Sequence, residues 1–190
     1  MAFGQKVLTI KNVSRMQDNQ ILSPHFSLLE FTESATARKR GIANEATPEV
    51  VDNLTRLCHH TMEPLREALG LPVIITSGYR SKPLNDIIAH HSHRSQHLVG
   101  CACDFYVGWS ASVGGRGPSN GFSPSPRERL IKAFRLILTS ESIDFDQLIL
   151  YPNFIHVSFV SPKANRHYIM VGDGNGKYRR VSHETALTLV

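Results

Sequence analysis

The stretch from Thr47 to Gly70, TPEVVDNLTRLCHHTMEPLREALG, constrains this chain most, because it carries a start signal, an apolar stripe and a stop in the order a helix needs. Thr47 can cap a first turn, Pro48 suits the first helical position, and Gly70 suits the residue that ends a helix. Between them Val50, Val51, Leu54, Leu57, Cys58, Met62, Leu65 and Leu69 recur at helical spacing. Cys58 is then an inert core thiol. Pro64 interrupts the pattern, since it lacks an N–H and crowds the preceding turn, and a kink is predicted there. With 190 residues, 41% of them hydrophobic and 19% charged, the chain has the makings of one compact domain with a sizeable core.

The remaining segments are shorter. Residues 1–22 read as an N-terminal arm with a strand at KVLTI, and 23–190 as the domain. SLLE, from Ser27, has the form of a capping box that opens a short helix. Val73 to Thr76 is a β-branched run, read as a buried strand ending near Gly78 with Tyr79 and Arg80 at its exit. Ser81 opens a short helix with Pro83 in its first turn. A strand is expected from about Leu98. Residues 108–126, rich in Gly, Ser and Pro, read as a flexible insertion on the surface. SPRERLIKAFRLILTS restores helical spacing, capped by Ser125 or Ser123. DQLILY and FIHVSFV, separated by Pro152 and Asn153, suggest a hairpin, and RHYIMVGDGNGKYRRVS a second one turned at GDGNG. There is no internal repeat.

The charge balance excludes some classes. The net charge of +5 arises from 21 basic and 16 acidic residues, scattered except near TARKRG and KYRR. That bias suits a solvated surface or a polyanionic partner rather than nucleic acid. The three cysteines, Cys58, Cys101 and Cys103, have no disulfide-framework spacing and point to a reduced compartment at synthesis. No run is long and apolar enough for a membrane span, and the first twenty residues lack the pattern of a secretory signal. A monomer made in the cytoplasm is expected.

SQHLVGCACD, Ser95 to Asp104, offers a histidine, two cysteines and an aspartate, all of them metal-ligand types. If LVGCACDFYV is a strand, Gly100, Ala102 and Asp104 share one face, and Cys101, Cys103 and Phe105 the other. The aspartate and the cysteines then cannot serve one site. His97, just before the strand, can turn toward Asp104, and the small Gly100 and Ala102 leave that face open. His156, centred in FIHVSFV, is a polar residue in an apolar strand and needs a partner. Two imidazoles and one carboxylate leave a fourth zinc position free, the layout of a catalytic site. A structural zinc on Cys101 and Cys103 stays open, and His90, His91 and His93 read as an exposed loop.

These residues resemble a known motif. SQHLVGCACD fits Ser-x-His-x-x-Gly-x-Ala-x-Asp, the metal motif of zinc D-Ala-D-Ala peptidases, at Ser95, His97, Gly100, Ala102 and Asp104. TSGYRSKPLN is similar to that family's Ser-Gly-Tyr-Arg segment, FIHVSF to its third-ligand strand, and HFSLLEFTESATARKRGI to the opening of its phage and bacterial branch. The resemblance runs from about residue 23 to about 170. It implies an α+β fold of the hedgehog/DD-peptidase type: a small antiparallel sheet carrying the zinc, with helices packed against it. It implies one Zn2+ on His97, Asp104 and His156, with Arg80 holding a carboxylate or carbonyl of a peptidoglycan stem peptide. Ser95 and Gln96 would hydrogen-bond the substrate backbone.

The implied reaction is metal-assisted hydrolysis, in which a general base takes a proton from water. Many relatives place a carboxylate three residues before the last histidine ligand, or a histidine two before it. Here Asn153 and Phe154 stand there, and neither accepts a proton. The nearest upstream carboxylate, Asp146, is assigned as the base, while Tyr151 and His93 are other groups able to approach. A zinc peptidase for cell-wall lysis or remodelling, such as a phage lysin, is the leading expectation. It would reach the periplasm or wall through lysis or a holin. The alternative is a zinc-containing binding module of weak or no activity.

Overall fold

The computed structural model describes residues 20–89, 92–108 and 124–189. The chain enters through a ribbon of β1 (Ile21–Ser23) and β2 (Phe26–Ser27), followed by α1 (Leu28–Thr32) and α2 (Ala35–Arg40). Ser27 and Glu30 form the expected capping box at the start of α1. KVLTI lies outside the described residues.

The Thr47–Gly70 helix forms in three joined pieces: α3 (Pro48–Leu57), a π-helical turn (Cys58–Met62) and α4 (Glu63–Leu69). Thr47 accepts the Val50 N–H, and Gly70 ends the run at φ 62. The irregularity predicted at Pro64 is the π turn. Pro64 has no N–H to give the His60 carbonyl, so that carbonyl accepts the Asp144 N–H instead, at 3.0 Å. The Thr61 hydroxyl donates to the Asp144 carbonyl at 2.6 Å, so the proline's lost bond becomes an anchor for the chain entering the sheet.

The other elements are β3 (Val73–Ser77), α5 (Lys82–Ile87), a 3-10 turn (Gln96–Val99), β4 (Ala102–Val107) and α6 (Pro126–Thr139). After them come β5 (Gln147–Leu150), β6 (Ile155–Ser158), β7 (Tyr168–Gly172), β8 (Tyr178–Val181) and α7 (His183–Thr188). Ser125 caps α6 and exchanges hydrogen bonds with Glu128. The six strands run in the order β3-β4-β6-β5-β7-β8. The fold is α+β as expected, and both predicted hairpins form. One pair, β5 with β7, is parallel within an otherwise antiparallel sheet.

Strand alternation sorts the sheet's two faces. Cys103, Phe105 and Val107 of β4, Ile155 and Val157 of β6, and Leu148 and Leu150 of β5 join Leu54, Leu57, Leu65, Phe134 and Ile137 of the helices in one apolar core. Asp104, Ile149 and His156 take the opposite face. The strand expected from Leu98 begins only at Ala102, because Gly100 at φ 73 closes the 3-10 turn first. Gly100 does not open the metal face either. A Cβ there would lie 2.8 Å from the Val50 carbonyl oxygen, so its small size lets the turn pack on α3. The insertion expected at 108–126 falls largely outside the described residues. No helix among them is long and apolar enough to cross a membrane.

The ribbon is tied to α4 by Glu63, whose carboxylate accepts the His25 backbone N–H at 2.7 Å and lies 2.9 Å from His25 Nδ1. Burial raises the pKa of this carboxyl, but the bonds from His25 outweigh it and the net shift is downward. A depressed carboxyl stabilises the fold above its unfolded value near 4.5 and loses that contribution as pH falls through the lower folded value. Urea midpoints of the wild type should therefore fall as pH drops below about 4.5. Glu63→Gln should flatten that fall and cost about 1–3 kcal/mol at pH 7.

Candidate metal centre

Asp104 and His156 are direct register partners on β4 and β6, so pairing alone sets their side chains side by side. His97 arrives from the 3-10 turn just before β4. His156 Nδ1 is 2.8 Å from Asp104 Oδ1, His97 Nε2 is 3.4 Å from the same oxygen, and the two imidazoles approach to 3.2 Å. One donor atom from each lies within 4.8 Å of the others.

The donor set fits a metal ion. Burial lowers the His97 pKa against the pull of Asp104, which favours the neutral imidazole a metal requires. Burial opposes charge on Asp104, but the facing His97 and His156 overcome it and hold the carboxyl far below the usual range. His97 Nδ1 lies 2.6 Å from the Gly78 carbonyl, so it carries the proton and Nε2 turns to the centre. Cys103 faces the core, with Sγ 3.6 Å from Met62 Sδ, and burial pushes the Cys101 and Cys103 thiols up. Neither joins the centre. His93 is exposed beside Asp86, and His90 and His91 lie outside the described residues.

The segment leaving β3 supports this centre residue by residue. The Ser77 hydroxyl accepts from Arg80 Nε at 2.9 Å, and Arg80 Nη2 donates to Asp104 Oδ2 at 2.7 Å. Oδ2 is thus held by the guanidinium and Oδ1 faces the histidines. A Cβ on Gly78 would lie 2.5 Å from the Phe31 carbonyl oxygen, so only glycine lets the strand exit rest on α1 with its carbonyl aimed at His97. Asn44, unremarked in the sequence, pins the loop by donating to the Tyr79 carbonyl and accepting the Ser81 N–H.

Residues 24–112 match the family model described as Peptidase M15. That segment is similar to the peptidase M15 family over just under half of the chain. No curated protein matches it. The matched segment contains Arg80, Ser95, Gln96, His97 and Asp104, and the pairing of β4 with β6 supplies His156 from beyond it.

The centre lies in a cleft of about 540 Å³ that is also lined by Arg80, Ser95, Gln96, Asp146, Tyr151 and Arg166. A larger hollow of about 730 Å³, walled by residues of α6, β7 and β8, holds none of the three ligands and is not the seat of this chemistry. The Ser95 hydroxyl makes no hydrogen bond to the described residues and is available to a ligand. Tyr151 stacks on Phe154 with centroids 4.4 Å apart, and burial raises its pKa, so it is a hydrogen-bond donor rather than a base at neutral pH.

Asp146, expected from the sequence to be the base, is held by other groups in the structure. Its side chain is 1% exposed. Oδ1 accepts Arg166 Nε and the Arg166 backbone N–H, both at 2.8 Å, while Oδ2 accepts Gln96 Nε2 at 2.8 Å and Arg166 Nη2. Burial alone would raise its pKa, but Arg166 and Gln96 reverse that and pull it down. A carboxylate so engaged is a poor proton acceptor. The sequence reading missed Arg166 because the contact crosses the edge of the parallel β5–β7 pair, which no local pattern announces.

Gly78→Ala should shift the carbonyl that orients His97. In competition with a chromogenic chelator, zinc affinity should drop about 10–100-fold while His97, Asp104 and His156 all remain in place.

Proposed function

We propose that this protein is a metallopeptidase that hydrolyses peptide bonds in the stem peptides of peptidoglycan, using one zinc ion held by His97, Asp104 and His156. The observation that carries the reading is the convergence of two imidazoles and one carboxylate, within 4.8 Å, on an open cleft. Zinc, when bound there, would polarise the scissile carbonyl and activate water as the nucleophile. Arg80 orients Asp104 by donating to Oδ2, and its remaining N–H groups suit a substrate carbonyl or carboxylate. Ser95 offers a hydroxyl, and Gln96 the part of its amide that Asp146 leaves over, to the peptide backbone. The protein acts on the wall as a lysin or remodelling enzyme, as a monomer, once lysis or a holin has released it.

A second reading has its own observation. The cleft holds two carboxylates among the described residues, Asp104 and Asp146; the first belongs to the metal set and the second is fully engaged. A centre with no free base in its cleft suits a zinc-containing wall-binding module of weak activity.

Mass spectrometry of defined stem peptides, with zinc measured on the same sample, separates the two readings. The peptidase reading expects one zinc per chain, products that disappear on chelation, and release reduced to background in His97→Ala. Intact peptides with stoichiometric zinc favour the binding module. Asn153→Glu places a carboxylate where relatives carry one; a rate gain of about 10²–10⁴ would show that the natural base is absent or weak.

A further inference from the structure

Asp146 and Arg166 are built too carefully for a surface ion pair. The carboxylate is 1% exposed while the guanidinium it holds is 45% exposed. Nε and Nη2 face Asp146, Nη2 also lies 3.4 Å from Gln96 Oε1, and Nη1 has no partner among the described residues. The guanidinium carbon also lies 4.9 Å from the Tyr168 ring centroid, a cation–π contact that adds to its hold.

The backbone is bent to achieve this. His167 is the one non-glycine at positive φ among the described residues, at φ 50. It places His167 against Asp144, with Nε2 2.9 Å from Oδ1, while Arg166 beside it turns to Asp146. A strained residue of this kind persists where its surroundings over-determine it.

Charge decides what the exposed edge should meet. Arg80, Arg94 and Arg166 line the cleft against Asp104 and Asp146, which leaves one positive charge in excess before any metal is counted. Arg80 is largely occupied by Asp104, at 15% exposure, so Arg166 is the better-exposed of the two paired arginines. We infer that Arg166, which lines the cleft, is a specificity-determining residue that binds a carboxylate of the substrate through the Nη1 its partners leave over, with Asp146 and Gln96 as positioning residues. A planar fork held rigidly on one edge gives up little further freedom when its other edge is used. The inference rests on the stem-peptide reading for the substrate and adds the group that is recognised.

The test uses the zinc-loaded full chain and three peptides: L-Ala-γ-D-Glu-L-Lys-D-Ala-D-Ala, its C-terminal carboxamide, and the carboxamide of its D-Glu α-carboxyl. The readout is KM and kcat where a peptide is cut, and Kd by calorimetry where it is not. The expected result is that one amide binds about tenfold more weakly than the free acid, which identifies the carboxylate, with kcat changed less than about twofold. Arg166→Gln should erase that preference, and Asp146→Asn should weaken it although the guanidinium is present. Because Arg166→Gln alone strands a buried charge, Arg166→Gln with Asp146→Asn removes the pair together and should also erase the preference. Equal affinity of the wild type for all three peptides overturns the inference. So does a preference that survives the double variant, or a loss equal for all three peptides. If no peptide is cut but the preference appears and is lost as described, the peptidase reading fails and the carboxylate site stands.

Discussion

The buried carboxylate of Asp104 is the constraint around which the cleft is organised. A charge taken out of water is tolerated only where several partners converge on it. Here His156 comes from the neighbouring strand, His97 from the turn before the same strand, and Arg80 from the exit of β3. Each partner has a support of its own: the register of β4 with β6, the Gly78 carbonyl, and the Ser77 hydroxyl. The side chain that demands compensation is therefore also the one that gathers a metal centre. A dication would satisfy the demand more fully than hydrogen bonds do.

Parity made much of this legible. Alternation along β4 puts Asp104 and Cys103 on opposite faces whatever the rest of the chain does, and the same holds for His156 between Ile155 and Val157. Cap signals at Thr47 and Ser125 were equally local, as was the break at Pro64. The start of β4 was misread because Gly100 adopts a left-handed turn that alternation cannot reveal, and its small size answers to Val50 rather than to a metal.

What the sequence hid was non-local. Asp146 looked like a spare carboxylate because its partner stands twenty residues on, across the edge of a parallel strand pair. The Gly78 carbonyl was invisible for another reason: a main-chain oxygen has no letter in the sequence. Its trace is the glycine itself, which a close contact with α1 requires and which the neighbouring Ser77 and Arg80 frame.

The π turn bears on phase as well as on hydrogen bonding. Val50 and Leu69 both face the core, yet they are nineteen residues apart, one more than the eighteen that make five turns at about 3.6 residues each. A straight helix would leave Leu69 about 100° out of line with Val50. The π turn takes up the surplus residue, so two stripes out of step in the sequence become continuous along the core. The same turn that frees the His60 carbonyl for Asp144 therefore keeps Glu63 on the side of the helix that meets His25.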